Sequence, residues 1–250
     1  MPDILTSALA TQGLMWIAFA GFMAGLVRGF SGFGTALIYL PIASMFLSPV
    51  QALVTLTVMD SIGPLPAIPR AAREADWPDL RKLLLGMVLA LPLGLLLLLS
   101  IPADVFRYGV SFGALLMLIV LLFGFRFKGR LSAPKVYGVG AASGVLGGSI
   151  GLPGPPVIFF YMSSDHPARV IRATTMVFLL CFDFILLGML GVQGLASLSN
   201  VVLGALLTLP LMLGTLLGTW LFRPSYEKAY RGVAYIIIAV SALRGLPIWG

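Results

Sequence analysis

GFMAGLVRGFSGFGTALIYLP (Gly21–Pro41) and GVGAASGVLGGSIGLPGPPVIFFYM (Gly140–Met162) are two versions of one passage. Gly21, Gly25, Gly29 and Gly32 recur as Gly140, Gly144, Gly148 and Gly151, each 119 residues further on. The first three glycines of each copy fall four apart on one helix face, where a missing side chain lets another helix approach closely. The next residues interrupt the helix. Ser31, Gly32, Phe33 and Gly34 in the first copy, and Ser149, Gly151, Pro153, Gly154, Pro155 and Pro156 in the second, hold glycines and prolines that cost about 1 and about 3 kcal/mol in a helix interior. Each copy therefore predicts a helix, a break and a new helix. Pro155 and Pro156 suit the first turn of the new helix, where no N–H is needed.

The passages lie in a chain suited to a bilayer. Of its 250 residues 59% are hydrophobic and 10% charged, and the mean hydropathy is +1.04, so a soluble domain's polar surface is missing. The net charge of +7 sits in short connections, where it sets topology and does not point to nucleic acid. The single cysteine, Cys181, excludes an intrachain disulfide and a multi-cysteine metal site, and reads as a small buried hydrophobe. The start, MPDILTSALATQG, lacks a basic segment before its first apolar stretch and reads as a retained helix, not a cleaved signal.

Apolar runs fall at about 8–28, 33–47, 50–68, 82–101 and 104–125, and again at 134–149, 154–164, 168–192, 197–222 and 229–246. Spanning needs about 20 helical residues, so the runs at 33–47, 134–149 and 154–164 are short, and they flank the repeated glycines. They are candidates for broken or re-entrant helices. Arg70, Arg73, Arg81 and Lys82, then Arg126, Lys128, Arg130 and Lys135, then Arg169 and Arg172, then Arg223, Lys228 and Arg231 mark four basic connections that face the cytoplasm by the positive-inside rule. The connections around Ser48 and Pro49, around Pro102 and Asp104, and from Gly191 to Asn200 face outward. One path satisfies these assignments, with both termini periplasmic. Five elements per half give the two halves opposite orientation, the inverted repeat common among secondary transporters. The expected fold is thus an all-α polytopic membrane protein of about 8 to 10 elements, in halves 1–127 and 128–250. Gly86 and Pro92 matching Gly204 and Pro210, Asp60 matching Asp183, and Arg107 matching Arg231 extend the duplication beyond the glycines.

The two glycine-rich passages resemble the paired repeats of the sulfite exporter TauE/SafE family, also called TSUP transporters, and the resemblance covers nearly the whole chain. It implies a polytopic inner-membrane protein that moves sulfite, sulfonates or other sulfur-containing organic anions, with no substrate fixed by membership. The copies differ, SGFGTALIYLP against IGLPGPPVIFF, so the two halves are not expected to contribute equally.

The residues carry their own reading. Backbone N–H groups freed by a break inside a membrane need protein, water or ligand. A helix that restarts there presents its positive dipole end, which suits an oxyanion. Ser31, Gly32, Phe33, Gly34, Ser149, Gly151, Pro153, Gly154 and Pro155 are accordingly the expected substrate contacts, the alternative being breaks that only shape the helix path. Arg28 either faces a cavity as an anion ligand or snorkels to the cytoplasmic side. Asp60 and Asp183 are candidate proton or cation sites, unless each caps a break or pairs with a nearby arginine, as Asp183 with Arg172. Thr174 and Thr175, with Gln51, Thr55 and Thr57, either line a polar path or bond their own backbone. Arg172 would guard the cytoplasmic mouth and attract anions. His166, in SSDHPAR, reads as a solvated loop residue.

The expected function is a secondary transporter of a small sulfur-containing anion working by alternating access, with a proton or cation as candidate coupling ion and no cofactor. A passive anion channel, or a membrane subunit without transport of its own, is the alternative. No Walker sequence is present, and one His, one Cys and two separated acids argue against an intramembrane enzyme.

Overall fold

Glycine and proline punctuate the chain, and the helices end where they stand. The computed structural model describes residues 2–31, 34–123, 132–161, 166–221 and 227–248. Gly32, Phe33, Arg126, Lys128, Arg130 and Arg223 lie outside them, as does the side chain of Ser31. The helices are α1 (Pro2–Leu9), α2 (Leu14–Ser31), α3 (Thr35–Ala43), α4 (Pro49–Ile62), α5 (Ile68–Glu74), α6 (Trp77–Ser100), α7 (Ala103–Phe123), α8 (Ala133–Ile150), α9 (Gly154–Tyr161), α10 (Ala168–Val192), α11 (Leu198–Leu221) and α12 (Glu227–Gly245). No strand occurs among the described residues.

Among the described residues, five stretches are long and apolar enough to cross a membrane: Pro49–Glu74, Trp77–Ser100, Ala103–Phe123, Arg169–Val192 and Leu198–Leu221. The 8 to 10 elements expected also counted broken or re-entrant helices, and shorter helices stand beside these five. Helices α3, with 9 residues, and α9, with 8, extend only about 12–14 Å at 1.5 Å per residue, less than half of a hydrocarbon core. The apolar run from 8 to 28 is also not one helix. It stops at Leu9 and restarts at Leu14, because Gly13 takes a left-handed φ of 71° that ends helical winding. Between α4 and α5, Gly63, Pro64 and Pro66 divert the chain through a 3-10 turn at Leu65–Ala67. Helix α4 opens on a capping box, Ser48 with Gln51, which assigns Gln51 a structural task.

Glycines build two seams. At the first, α2 packs along α11: a methyl on Gly25 would strike the Leu211 carbonyl and one on Gly29 the Thr215 carbonyl, while Gly214 and Gly218 meet the backbone of Phe22 and Leu26. At the second, α6 packs along α8: Gly140 meets Leu83, Gly144 meets Met87, and Gly94 lies 2.6 Å from the Val145 carbonyl by the same construction. These are the two most extensive helix contacts. Gly21 differs from its repeats, with 3.8 Å to its nearest neighbour, so only five of the six spaced glycines are needed for close approach. Each seam joins a helix from residues 1–127 to one from 128–250. The outer faces are leucine-rich, with Leu89, Leu93, Leu213, Leu216 and Trp220 exposed, an apolar surface that suits lipid.

Candidate functional site

At the first break, α2 delivers Arg28 in its last turn and α3 begins after Gly34, whose φ of 105° is left-handed. Gly34 offers no side chain to cap the new helix, and the N–H groups of Thr35, Ala36 and Leu37 have no partner within α3. Arg28 stands beside them. Its Nη1 donates to Asp60 Oδ1 at 2.5 Å and to Thr35 Oγ1 at 3.1 Å. Thr35 is buried, and the Arg28 and Asp60 side chains are each 21% exposed. The pair joins α2 to α4 just before the Gly63 bend, so Asp60 is held where α4 stops.

Asp183 completes the cluster from α10. It is 8% exposed, and both Asp60 and Arg28 act on it electrostatically. It makes no hydrogen bond or ion pair among the described residues. Pairing with Arg172 does not occur: Arg172 is exposed near the start of α10, eleven residues and about 16 Å along the helix from Asp183. The two acids that stand 123 residues apart in the sequence thus act on one another electrostatically, while it is Asp60 that holds the guanidinium.

A cleft of about 160 Å³ opens onto Arg28, walled by Gly63 and Pro66 at the α4 bend and by Leu211, Met212, Thr215 and Leu216 of α11. Arg28 is its one charged wall residue. A water needs about 10–15 Å³ of such space, so the cleft has room for a four-atom oxyanion together with water.

The second break is built differently. Gly151 ends α8 with φ 70°. Its N–H returns to the Gly147 carbonyl at 3.0 Å, and that of Leu152 to the Leu146 carbonyl at 3.3 Å. Pro153, Pro155 and Pro156 carry no N–H, so Gly154 and Val157 are the only donors left at the start of α9. The Ser149 hydroxyl donates to the Val145 carbonyl at 2.7 Å. Much of the donor set expected at this break is therefore spent on α8 or replaced by proline. A methyl on Gly151 would lie 2.5 Å from Leu40 Cδ1 and 3.3 Å from Leu53 Cδ1, so this break rests on α3 and α4. Gly147 faces the ring of Phe182, next to Asp183. Gly154 has room for a methyl, at 3.7 Å from Ile158 Cδ1.

The threonines divide. Thr174 Oγ1 accepts the Asp76 N–H at 2.9 Å, and Thr55 Oγ1 donates to the Gln51 carbonyl at 2.9 Å while accepting from the fully buried Tyr39 hydroxyl at 2.8 Å. The Thr175 hydroxyl is buried without a hydrogen-bond partner. His166 is not a freely solvated loop residue: it is half-buried, with Nε2 3.5 Å from Asp76 Oδ2. Asp76, Asp79 and His166 bring ligand-type atoms within 4.8 Å of one another. Asp76 caps α6, however, and Asp79 pairs with Lys82 at 2.9 Å, so protein groups already use these carboxylates. Glu74 bridges Arg70 at 3.1 Å and Arg169 at 3.3 Å at the same corner.

Thr35 is a partner of Arg28 that was not expected from the sequence. Its signal is local, a hydroxyl residue directly after the SGFG break. The Glu74–Arg169 and Asp76–His166 contacts carry no such signal, since they join segments about 90 residues apart.

Neither a curated protein nor a solved structure matches the chain. The model of one family matches residues 17–245, from α2 to the end of α12, and so takes in both breaks and Arg28. With the glycine seams and the apolar helices already in place, that match shows that the chain belongs to the sulfite exporter TauE/SafE family of membrane transporters.

Proposed function

We propose that the chain is a secondary transporter for sulfite, a sulfonate or a related small sulfur-containing anion, held at the first break and moved across the bacterial inner membrane by alternating access. The observation that carries this reading is Arg28, which lines the cleft and whose Nη1 donates to Thr35 Oγ1 at the uncapped start of α3. A guanidinium and convergent backbone donors are what a planar or pyramidal oxyanion needs. A positive charge within a membrane protein costs free energy and is characteristically placed in a functional path.

The first break is the principal substrate contact, through Arg28, Gly34 and the α3 N-terminus, with Ser31, Gly32 and Phe33 alongside. Ser149, Gly151, Pro153, Gly154 and Pro155 shape the opposite wall, as their spent or missing donors favour a steric part. Asp60 and Asp183 serve coupling. Thr174 and Thr175 lie on the helix that carries Asp183, and exposed Arg172 gathers anions at the cytoplasmic mouth. Seams that tie a helix of residues 1–127 to one of 128–250 support an inverted pair of halves with both termini periplasmic, each half lending a helix to the other.

The test is uptake of radiolabelled sulfite and methanesulfonate into proteoliposomes. Native protein should take up at least one of them saturably. The double variant Arg28→Gln/Asp60→Asn, which removes both partners of the ion pair together, should lose uptake while eluting as the folded protein does. Undiminished uptake by the variant would remove Arg28 from the anion path.

A further inference from the structure

Arg28 of α2, which lines the cleft, pairs with Asp60 of α4, and Asp183, buried on α10 where that helix packs on α4, lies within their electrostatic reach. With both acids ionised the cluster carries one excess negative charge in a largely buried place. An uncompensated buried charge costs several kcal/mol, and two carboxylates that cannot both be neutralised by one partner share a proton. Among the described residues no other group acting on the cluster supplies the missing positive charge. Helix α11, which packs on α4, has no titratable residue from Leu198 to Leu221. Helix α3 offers Thr35 and the hydroxyl of Tyr39, which is spent on Thr55. On α10 itself the neighbour is Cys181. The charged groups of α5 and α6 that face α10 are engaged elsewhere, Glu74 with Arg70 and Arg169, Asp76 with His166, and Asp79 with Lys82. Tyr161 of α9 lies in the field of Asp76 and Asp79.

Resting on the anion site proposed above, we infer that binding of one monoanion at Arg28 draws one proton onto the Asp60/Asp183 pair, because the anion takes the place of Asp60 as the guanidinium's partner. The charges balance at each stage. Before binding, Arg28 is positive, one carboxylate is ionised and the pair holds one proton. The incoming anion pairs with Arg28, and the displaced carboxylate, left buried without its counter-charge, forms an O–H bond with a proton from the aqueous phase that admitted the anion. After binding, the guanidinium and the anion neutralise each other and both acids are protonated. Anion and proton then move as a neutral set, so one proton accompanies each monoanion. Thr35, bonded to Arg28 and placed against Asp60, is positioned to hold the guanidinium while partners exchange.

Methanesulfonate is the probe, since its charge is fixed over the working pH range and any proton taken up belongs to the protein. Calorimetric titration of the purified chain in buffers of differing ionisation enthalpy should give an uptake of about one proton per anion bound. Affinity should weaken about tenfold for each pH unit of rise while that uptake lasts. In Asp60→Asn/Asp183→Asn, which leaves no carboxyl in the cluster to receive a proton, uptake should fall toward zero and the pH dependence flatten, whereas either single variant keeps one carboxyl near Arg28 and should keep the uptake. Binding by native protein with no proton uptake overturns the inference and leaves the anion site standing. Uptake that persists at one proton in Asp60→Asn/Asp183→Asn overturns it as well. Absence of binding by both methanesulfonate and sulfite removes the site and the inference together. The native titration decides by itself even where a variant fails to fold.

Discussion

A methyl group added at Gly94 tests whether the α6/α8 seam is as close as described. In Gly94→Ala the new Cβ would lie 2.6 Å from the Val145 carbonyl oxygen, 2.8 Å from that of Gly144 and 3.0 Å from Gly148 Cα, where ordinary contact begins at 3.4 Å. The obstacles are backbone atoms and cannot rotate away, so the helices must part by roughly 0.6–0.8 Å along a dense interface. Overpacking of this kind costs about 1–3 kcal/mol. At about 2–4 °C per kcal/mol for a chain of this size, melting should fall by about 2–12 °C. Gly188, on the exposed face of α10 with nothing within 4 Å, is the internal control. There alanine relieves glycine's helix penalty of about 0.5–1 kcal/mol and should hold or raise the melting temperature. Tryptophan fluorescence during heating in one detergent gives both values. A Gly94→Ala protein that melts no lower than native, or a Gly188→Ala protein that falls as far, would refute the seam argument.

Gly34→Ala forces a Cβ into a left-handed φ of 105°, costing about 1–2 kcal/mol, and sulfite uptake should drop severalfold. Gly154→Ala, which has open space around it and no left-handed φ, should keep near-native uptake, so equal losses in the two would contradict the assignment of the first break. Tyr39→Phe removes a buried 2.8 Å hydrogen bond to Thr55 and should lower stability by about 1 kcal/mol in a thermal melt, with uptake retained. Glu74→Gln loses contacts to Arg70 and Arg169, whose side chains are 80% and 71% exposed. The effect should stay below about 1 kcal/mol and vanish in high salt, which melts at two salt concentrations would check.

What the chain revealed in advance follows from how local each signal is. The breaks at Gly34 and at Gly151–Pro153 were legible because glycine and proline act on their own backbone. The seams were half legible: four-residue glycine spacing announces that a helix is approached closely, yet it says nothing of which helix approaches, and α11 and α6 emerged only from the packing. Gly21 shows the limit, sharing the spacing without the contact. The matching of Asp60 with Asp183 drew attention to both, while their coming within electrostatic reach of each other and of Arg28 depends on how α2, α4 and α10 assemble. The proposed Asp183–Arg172 pair failed for a reason that helix geometry already contains, since residues eleven apart on one helix do not touch. Helix α2 was misjudged because apolar composition alone passed over Gly13, whose left-handed turn separates it from α1.

The most direct measurement is counterflow in proteoliposomes: vesicles preloaded with unlabelled sulfite, diluted into a trace of labelled sulfite, with gradients of other ions collapsed. A carrier that alternates access around an anion on Arg28 predicts a transient accumulation of label above equilibrium, present in native protein and absent in Arg28→Gln/Asp60→Asn. Equilibration without an overshoot in native protein would contradict alternating access and leave a passive pore, and accumulation that survives in the variant would move the anion site away from Arg28.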